Sequence, residues 1–543
     1  MGDMRAMSQG WQTTWDRLAR SQNGSADDLL LRQLDANDPD VWQGAMETLL
    51  RRRSKAGPRE LLRRWHSLDV AIKQLVQFGS SQFMGALRDA VVSDDDRMVE
   101  NACQAACDLG EYDLISPLIH VAEDVSSTNR DLAAATVLEL SEMLYEELTA
   151  PRDYAKRCDP QLIRGRLLGG LEKSVNRFRK HSRPELVAAF LCLAKRDNGT
   201  LTRLLNDPHD PAYLCHVDQL THSSQNSVIQ LSLNFLESNR LPSSVINVFS
   251  RRADMAFIEQ LLDRFQGTLS KAVRANLKRI EKLPWISKDT LIENLDGPRQ
   301  AAAVRLVSAS GTNRSSVFKF VRRLLQHGKS QGRAAAAEVL AEYNGSEPNR
   351  LTLRSISDPS PDVQAHAVRQ IRRRGIPGAL TRLLEFVESP HEVVREAARS
   401  CLPEFRFDRY LASFDVLDDA VRQTTGKLVF KVDPTVRQEL VKELDALARS
   451  RRLRGLQIVQ AMQIVARVED RVLELLSDDD HMVRAEAARA LEWSIESATY
   501  AALQRALLDR SVAVQEAARH SLKQVSRSTA ATSHRDTIQE QLV

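Results

Sequence analysis

Four stretches of this chain repeat one short pattern: "SISDPSPDVQAHAVRQI", "FVESPHEVVREAARSCL", "LLSDDDHMVRAEAARAL" and "LLDRSVAVQEAARHSL". Each sets an apolar residue, a small one four positions later and an apolar one four later again: Val363, Ala367, Ile371; Val394, Ala398, Leu402; Val483, Ala487, Leu491; Val514, Ala518, Leu522. The first and second copies, and again the third and fourth, lie 31 residues apart. "GRAAAAEVL" supplies Gly332, Ala336 and Leu340, 31 residues before the copy at Val363. A period of this kind means that one supersecondary unit is built several times over, and it governs how every other motif is read.

Residues four and eight positions apart share one stripe of a helix, because each step of four advances about 40° around the axis. The stripe is the buried face, and its central small residue admits a neighbouring helix at close range. The acid ahead of the stripe is placed to accept hydrogen bonds from the free N–H groups of the first turn. Each unit is therefore helix, turn, helix. Weaker copies occur at Val41, Ala45, Leu49 and at Val99, Cys103, Cys107, and the signature is loosest between about 145 and 291. Aromatic residues are only 5% of the chain, which favours helix over strand. The expected fold class is all-α.

The pattern of an apolar residue, Asp, Val-Arg, Ala and Leu, nearly complete in "LLSDDDHMVRAEAARAL", resembles HEAT repeats of the short bacterial kind. That resemblance implies an α-solenoid, a stack of antiparallel helix pairs whose second helices line its concave side. It divides the chain into N-terminal HEAT-like repeats (1–140), divergent helical repeats (141–290) and C-terminal HEAT repeats (291–526), and the Ser/Thr-rich, apolar-poor end (527–543) reads as a flexible tail. It also implies an Asp–Arg ladder between adjacent repeats, with Asp478, Arg484 and Arg395 as members. Gln364, Gln515 and Glu100 stand at the Arg position elsewhere, so the ladder is expected to be interrupted.

Two clusters invite a metal. Asp478-Asp479-Asp480-His481 mixes carboxylates and imidazole, but Asp94-Asp95-Asp96 recurs at the same repeat position and Asp509 sits singly there, as caps would. "NDPHDPAYLCHVDQLTHSS" holds His209, Cys215, His216 and His222 without a compact ligand spacing, and reads as a loop followed by a helix. The six cysteines are scattered and read as reduced, mostly buried thiols. No metal, cofactor or catalytic residue is assigned: no phosphate-cradling glycine loop, nucleophile elbow or kinase set occurs. Trp11 and Trp15 are read as stapling a helix onto the first repeat.

Formal net charge is +4, from 76 Lys and Arg against 72 Asp and Glu, so bulk charge does not imply a nucleic-acid binder. The basic residues are clustered nonetheless. Arg51, Arg52 and Arg53 open one run, Arg369 with Arg372 to Arg374 form a second, and Arg449, Arg451, Arg452 and Arg454 a third. Taking the valine slot as position zero, the face opposite the buried stripe falls at positions 2, 6 and 9. On successive second helices these are Ala365, Arg369, Arg372; Glu396, Ser400, Pro403; Ala485, Arg489, Glu492; and Glu516, His520, Lys523. The candidate partner-binding residues are Arg369, Arg372, Arg489, His520 and Lys523, together with Arg51, Arg52 and Arg53.

The chain thus reads as a non-catalytic scaffold or adaptor binding a protein partner on the concave surface. Two other classes stay open: a nucleic-acid-binding HEAT-like protein, and a subunit resembling HEAT-like bilin lyases. The N-terminus lacks an apolar signal core, Gly2 lacks the serine or threonine a myristoylation motif requires, and the longest strongly apolar stretch, 186–194, is about half a membrane span. A soluble, cytoplasmic protein is expected.

Overall fold

The computed structural model describes residues 9–52, 54–68, 73, 76, 81–151, 159–494 and 496–525. Gly2, Arg53, Cys158 and the expected tail at 527–543 lie outside the described residues. Among those described, every regular element is an α-helix or a short 3-10 turn, and no helix is long and apolar enough to cross a membrane. The chain forms two compact units, Met1–Phe320 and Val321–Val543. Packing therefore divides it at another place than the repeat signature does, which weakens near 141 and resumes near 291.

In the second unit the repeat is literal. The helices Ser330–Leu340, Pro361–Ile371 and Glu392–Ser400 lie side by side, each 31 residues after the last, and Ser346–Ser355 and Ala379–Phe386 pack behind them as their partners. Arg449–Met462 and His481–Ala490 repeat the arrangement, with Val465–Leu475 as the partner. The predicted stripe is the core: Val363, Val394, Val483 and Val514 are fully buried, as are Ala336, Ala398, Ala487 and Ala518. An alanine at mid-stripe keeps helix axes close, and burying the branched residues on either side stabilises each contact by about 2 kcal/mol per side chain.

The first unit uses the same logic with less regular lengths. Arg130–Thr149 packs against both Ile115–Glu123 and Pro184–Leu193, so the region where the signature fades is still built from stacked helices. Gln9–Arg20 lies on Pro39–Arg51, where Trp15 is buried and a side chain on Gly44 would meet its ring at 2.5 Å. Trp15, stacked on Trp11 with ring centroids 5.5 Å apart, is the staple expected from the sequence.

The outward face departs from expectation at position 2. Ala365 and Ala485 are buried, whereas Glu396 and Glu516 at the same position are exposed. A second helix is covered behind by its partner and on its flanks by neighbouring second helices, so its buried arc is wider than a three-residue stripe. Position 2 faces the following copy. A copy follows 31 residues after Val363 and after Val483; none in register follows Val394, and Val514 belongs to the last described helix.

Candidate functional site

The acids ahead of each stripe divide two tasks between them. Asp480 accepts from the N–H groups of Met482 and Val483 at 2.8 and 3.3 Å, and Asp95 does the same for Arg97 and Met98 at 3.2 and 3.4 Å. These are helix caps. Asp478 instead receives Arg452 at 2.9 Å, 26 residues earlier in the chain, and Asp509 receives Arg484 through two bonds of 2.9 and 3.0 Å. Arg333 meets Asp358 in the same way at 2.8 and 2.9 Å. An arginine of one repeat thus pairs with the turn acid of the next. Arg484 also donates to its own turn, to the carbonyls of Asp478 and Asp479 at 2.8 and 3.1 Å.

Both units are built from stacked helix pairs. In the repeats of the second unit the ladder is interrupted where the sequence places glutamine, but each Gln keeps half of the arginine's work. Gln364 and Gln515 donate to the turn carbonyls of Asp358 and Asp509 at 2.7 and 2.6 Å, and make no cross-repeat ion pair. The residue 25 positions after Gln364 is Ser389, so no carboxylate is left over there. Arg395 is a correction to the expected ladder. It bonds the carbonyls of Ser389 and Pro390 and the carboxylate of Glu392 within its own repeat, and no acid stands 25 residues on.

Many of the arginines that make the chain look basic do comparable work. Arg374 donates to the carbonyls of Leu340 and Tyr343 at 2.6 and 2.8 Å, and Arg373 to that of Ala341, at the end of the helix one repeat earlier. Arg252, 2% exposed, does the same to Leu220 and Ser223 at 2.9 and 2.8 Å. These carbonyls would otherwise lack partners, and a cation there also opposes the negative helix end. Arg52 is a further case, and it corrects the site prediction. It is 4% exposed and held by Asp27 and by the carbonyls of Leu18 and Asn23, so it cannot reach a partner. Arg51 is exposed and paired with Asp16 at 3.1 Å. The third cluster is matched acid for base: Arg449 meets Asp480 at 3.0 Å, Arg451 and Arg454 share Glu443 at 2.6 and 3.3 Å, Arg454 also lies 3.7 Å from Asp415, and Arg452 takes Asp478.

Against that background one pocket of the second unit stands apart. Its volume is about 630 Å³, and Arg369, Arg372, Arg373 and Arg409 line it together with Cys401 and Glu404. Arg369 and Arg372 project from the end of Pro361–Ile371 and its continuation; Arg409 comes from Phe407–Ser413, where Pro403 has turned the chain back. Glu404 accepts from Arg372 Nη1 with both carboxylate oxygens, at 2.7 and 2.8 Å, and the same nitrogen donates to the Cys401 carbonyl at 2.9 Å. Burial pushes the Glu404 carboxyl up, but the bond from Arg372 and the charges of Arg372 and Arg409 outweigh it and hold the group below its ordinary range. Arg369 and Arg409 are exposed and make no ion pair among the described residues. Burial raises the Cys401 thiol, while Arg369 and Arg372 pull the other way.

Sequence periodicity found Arg369 and Arg372 but not Arg409, which follows the break at Pro403 and sits on no repeat position. The other strip residues lie elsewhere: Arg489 pairs with Glu486 at 2.6 Å, His520 stands 3.8 Å from Glu492, and Lys523 is exposed on the last described helix. The histidines of the first unit do not converge either. His209 and His222 are exposed, whereas His216 is fully buried, with Nδ1–H donating to the Ala212 carbonyl at 2.7 Å and its ring set edge-on to Phe190.

Burial lowers the His216 pKa; the bond to Ala212 and the charge of Asp210 oppose that, and Arg203 adds to it. A depressed base binds its proton more readily in the unfolded chain, so its contribution is complete above the unfolded value near pH 6.5 and is lost as pH falls below that. The first unit should therefore melt progressively earlier on acidification from pH 7 to 5, and His216→Phe should flatten that slope while lowering stability at pH 8. Parallel pH profiles for the two proteins in calorimetry would count against this assignment.

No family model matches the chain, and no curated protein does. Among solved structures, one from work on the phosphorylation-controlled interaction between cadherin and β-catenin aligns at 14% identity over 92% of this chain and 99% of its own, with a TM-score of 0.30. A homology model of the full-length AP-3 complex aligns at 12% identity over 97% and 96%, with a TM-score of 0.36. The crystal structure of Kap121p aligns at 14% over 95% of this chain and 53% of that one, with a TM-score of 0.22.

Proposed function

We propose that the chain is a non-catalytic scaffold that holds a protein partner against the exposed strip of its second helices, centred on the pocket of Arg369 and Arg409. The observation that carries this reading is a clustering. Many arginines of the second unit serve ladders, carbonyl caps and surface pairs, and others are exposed without an ion pair among the described residues, whereas Arg369, Arg372, Arg373 and Arg409 line one pocket with a single carboxylate, Glu404. Stacked repeats bury their core between neighbours and leave extended faces for contact, which suits a binding role rather than an enclosed reaction site.

The nucleic-acid alternative draws less support, because the cluster of Arg449 to Arg454 that would extend a basic track is matched by acids. Nothing in the residues favours the bilin lyase alternative. The test is differential capture from the native cell at moderate salt. The Arg369→Ala/Arg372→Ala protein should lose the partners that the unaltered chain retains, with a melting temperature within about 2 °C, since exposed charges contribute little to stability. An unchanged partner set, or salt-dependent retention on DNA that the substitutions abolish, would remove the reading.

A further inference from the structure

We propose that the pocket bounded by Arg369, Arg372, Arg373 and Arg409 binds the phosphomonoester group of a phosphorylated side chain on the protein partner; this rests on the scaffold reading above. Four guanidiniums and one carboxylate line the pocket. Glu404 already answers Arg372, and one nitrogen of Arg373 is engaged by the Ala341 carbonyl. Arg369 and Arg409 make no ion pair of their own among the described residues, though Glu404 feels the charge of Arg409. A second carboxylate would match one of them, whereas a monoester carries between one and two negative charges at neutral pH and three acceptor oxygens, enough to meet both. The depression, about 630 Å³ and open to solvent, admits the side chain that carries the group.

The cations also gather around one depression rather than along a track. A polynucleotide spreads about one charge per phosphate along a track and is held by cations spaced along it. Here Arg374 points inward to carbonyls and the cluster at Arg449 to Arg454 is matched by acids, so the site fits a single dense anion better than a chain of weak ones. Glu404 adds selectivity, because only an anion stronger than a carboxylate gains by drawing Arg372 away from it.

Cys401 offers a local reporter. Its thiol lines the pocket and is half-buried, and Cys215, also half-buried but in the first unit, serves as an internal control. The full chain is alkylated with a maleimide at pH 7, and Cys401 and Cys215 are read separately by peptide mass spectrometry. The additives are N-acetyl-phosphoserine amide, N-acetyl-glutamate amide, sodium chloride at matched ionic strength, or a twelve-residue oligothymidylate.

With a Kd of about 1 mM for the phosphoserine probe, 10 mM should slow Cys401 about tenfold and leave Cys215 unchanged. Arg369→Ala/Arg409→Ala should abolish that protection while Cys215 reactivity and the melting temperature stay as they were. Protection equal to that of sodium chloride or of the glutamate probe overturns the proposal, as does protection that survives the double substitution. Stronger protection by the oligonucleotide at equal phosphate concentration overturns it in favour of a polyanion. Absence of phosphoserine protection in the unaltered chain, with Arg369→Ala/Arg372→Ala still losing captured partners, would sink this proposal and leave the scaffold reading standing.

Discussion

Asp509→Ala should destabilise the second unit by about 3 kcal/mol and lower its melting temperature by about 10 °C. The reason lies on the other side of the pair. Arg484 is 5% exposed, and its guanidinium would keep the carbonyls of Asp478 and Asp479 but lose the carboxylate it pairs with directly. A buried charge stripped of its partner costs about 3–5 kcal/mol, and the two surviving carbonyl bonds put this case at the lower end. The companion experiment separates the pair from the buried charge. Arg484→Met with Asp509→Leu removes both ions together and should come within about 1 kcal/mol of the unaltered protein, since apolar replacement of a buried pair is often neutral. Acid adds a second readout. The bond from Arg484 holds the Asp509 carboxyl below its usual value, so the pair stabilises fully above about pH 4 and loses that contribution as pH falls through the lowered value. Scanning calorimetry across pH 2.5–7 checks both, and a double variant as unstable as Asp509→Ala would show that shape, not charge, is what the ladder supplies.

Gly311→Ala should be as damaging in the first unit, by about 3 kcal/mol, though no charge is involved. The Gly311 N–H donates to the carbonyls of Leu277 and Ile280 at 3.1 and 3.0 Å, which draws this turn onto the end of the helix Lys271–Leu277. A Cβ there would stand 2.3 Å from the Lys278 carbonyl oxygen and 3.2 Å from that of Ile280. Both obstacles are backbone, so no side-chain rotation relieves the overlap and the turn must move off the helix end. Gly165→Ala is the control. It lies in the helix Pro160–Asn176 with nothing within 4 Å of the new methyl, and should stabilise by up to about 1 kcal/mol through helix propensity and a less flexible unfolded chain. Equal effects from the two substitutions, measured by thermal denaturation, would refute the account of Gly311.

The buried stripe was legible because it is a local property: a helix returns to the same side every three or four residues whatever it packs against. Val363, Val483 and Val514 could be assigned to the core on spacing alone, and Asp95 and Asp480 to turns on their recurrence. Position 2 was not legible. Whether Ala365 is buried or Glu396 exposed depends on whether another repeat follows in register, which is a property of the neighbour. Arg52 and Arg374 mislead for a related reason. A run of arginines looks like a surface for an anion, but helix ends one repeat away expose carbonyls that need donors, and that demand is invisible in the run itself.

The pocket lies at the limit of both kinds of reading. Arg369 and Arg372 follow from counting along a helix, whereas Arg409 joins them only because Pro403 ends the repeat and turns the chain back beside the preceding helix end. Spacing by itself determined that this chain is all-helical, that its units repeat, and which residues face inward, because those follow from 3.6 residues per turn and the cost of exposing apolar surface. Tertiary structure alone decided which of its many charges are answered and which are left open, because a charge is neutralised by what stands beside it in space, often 25 or more residues away in the chain.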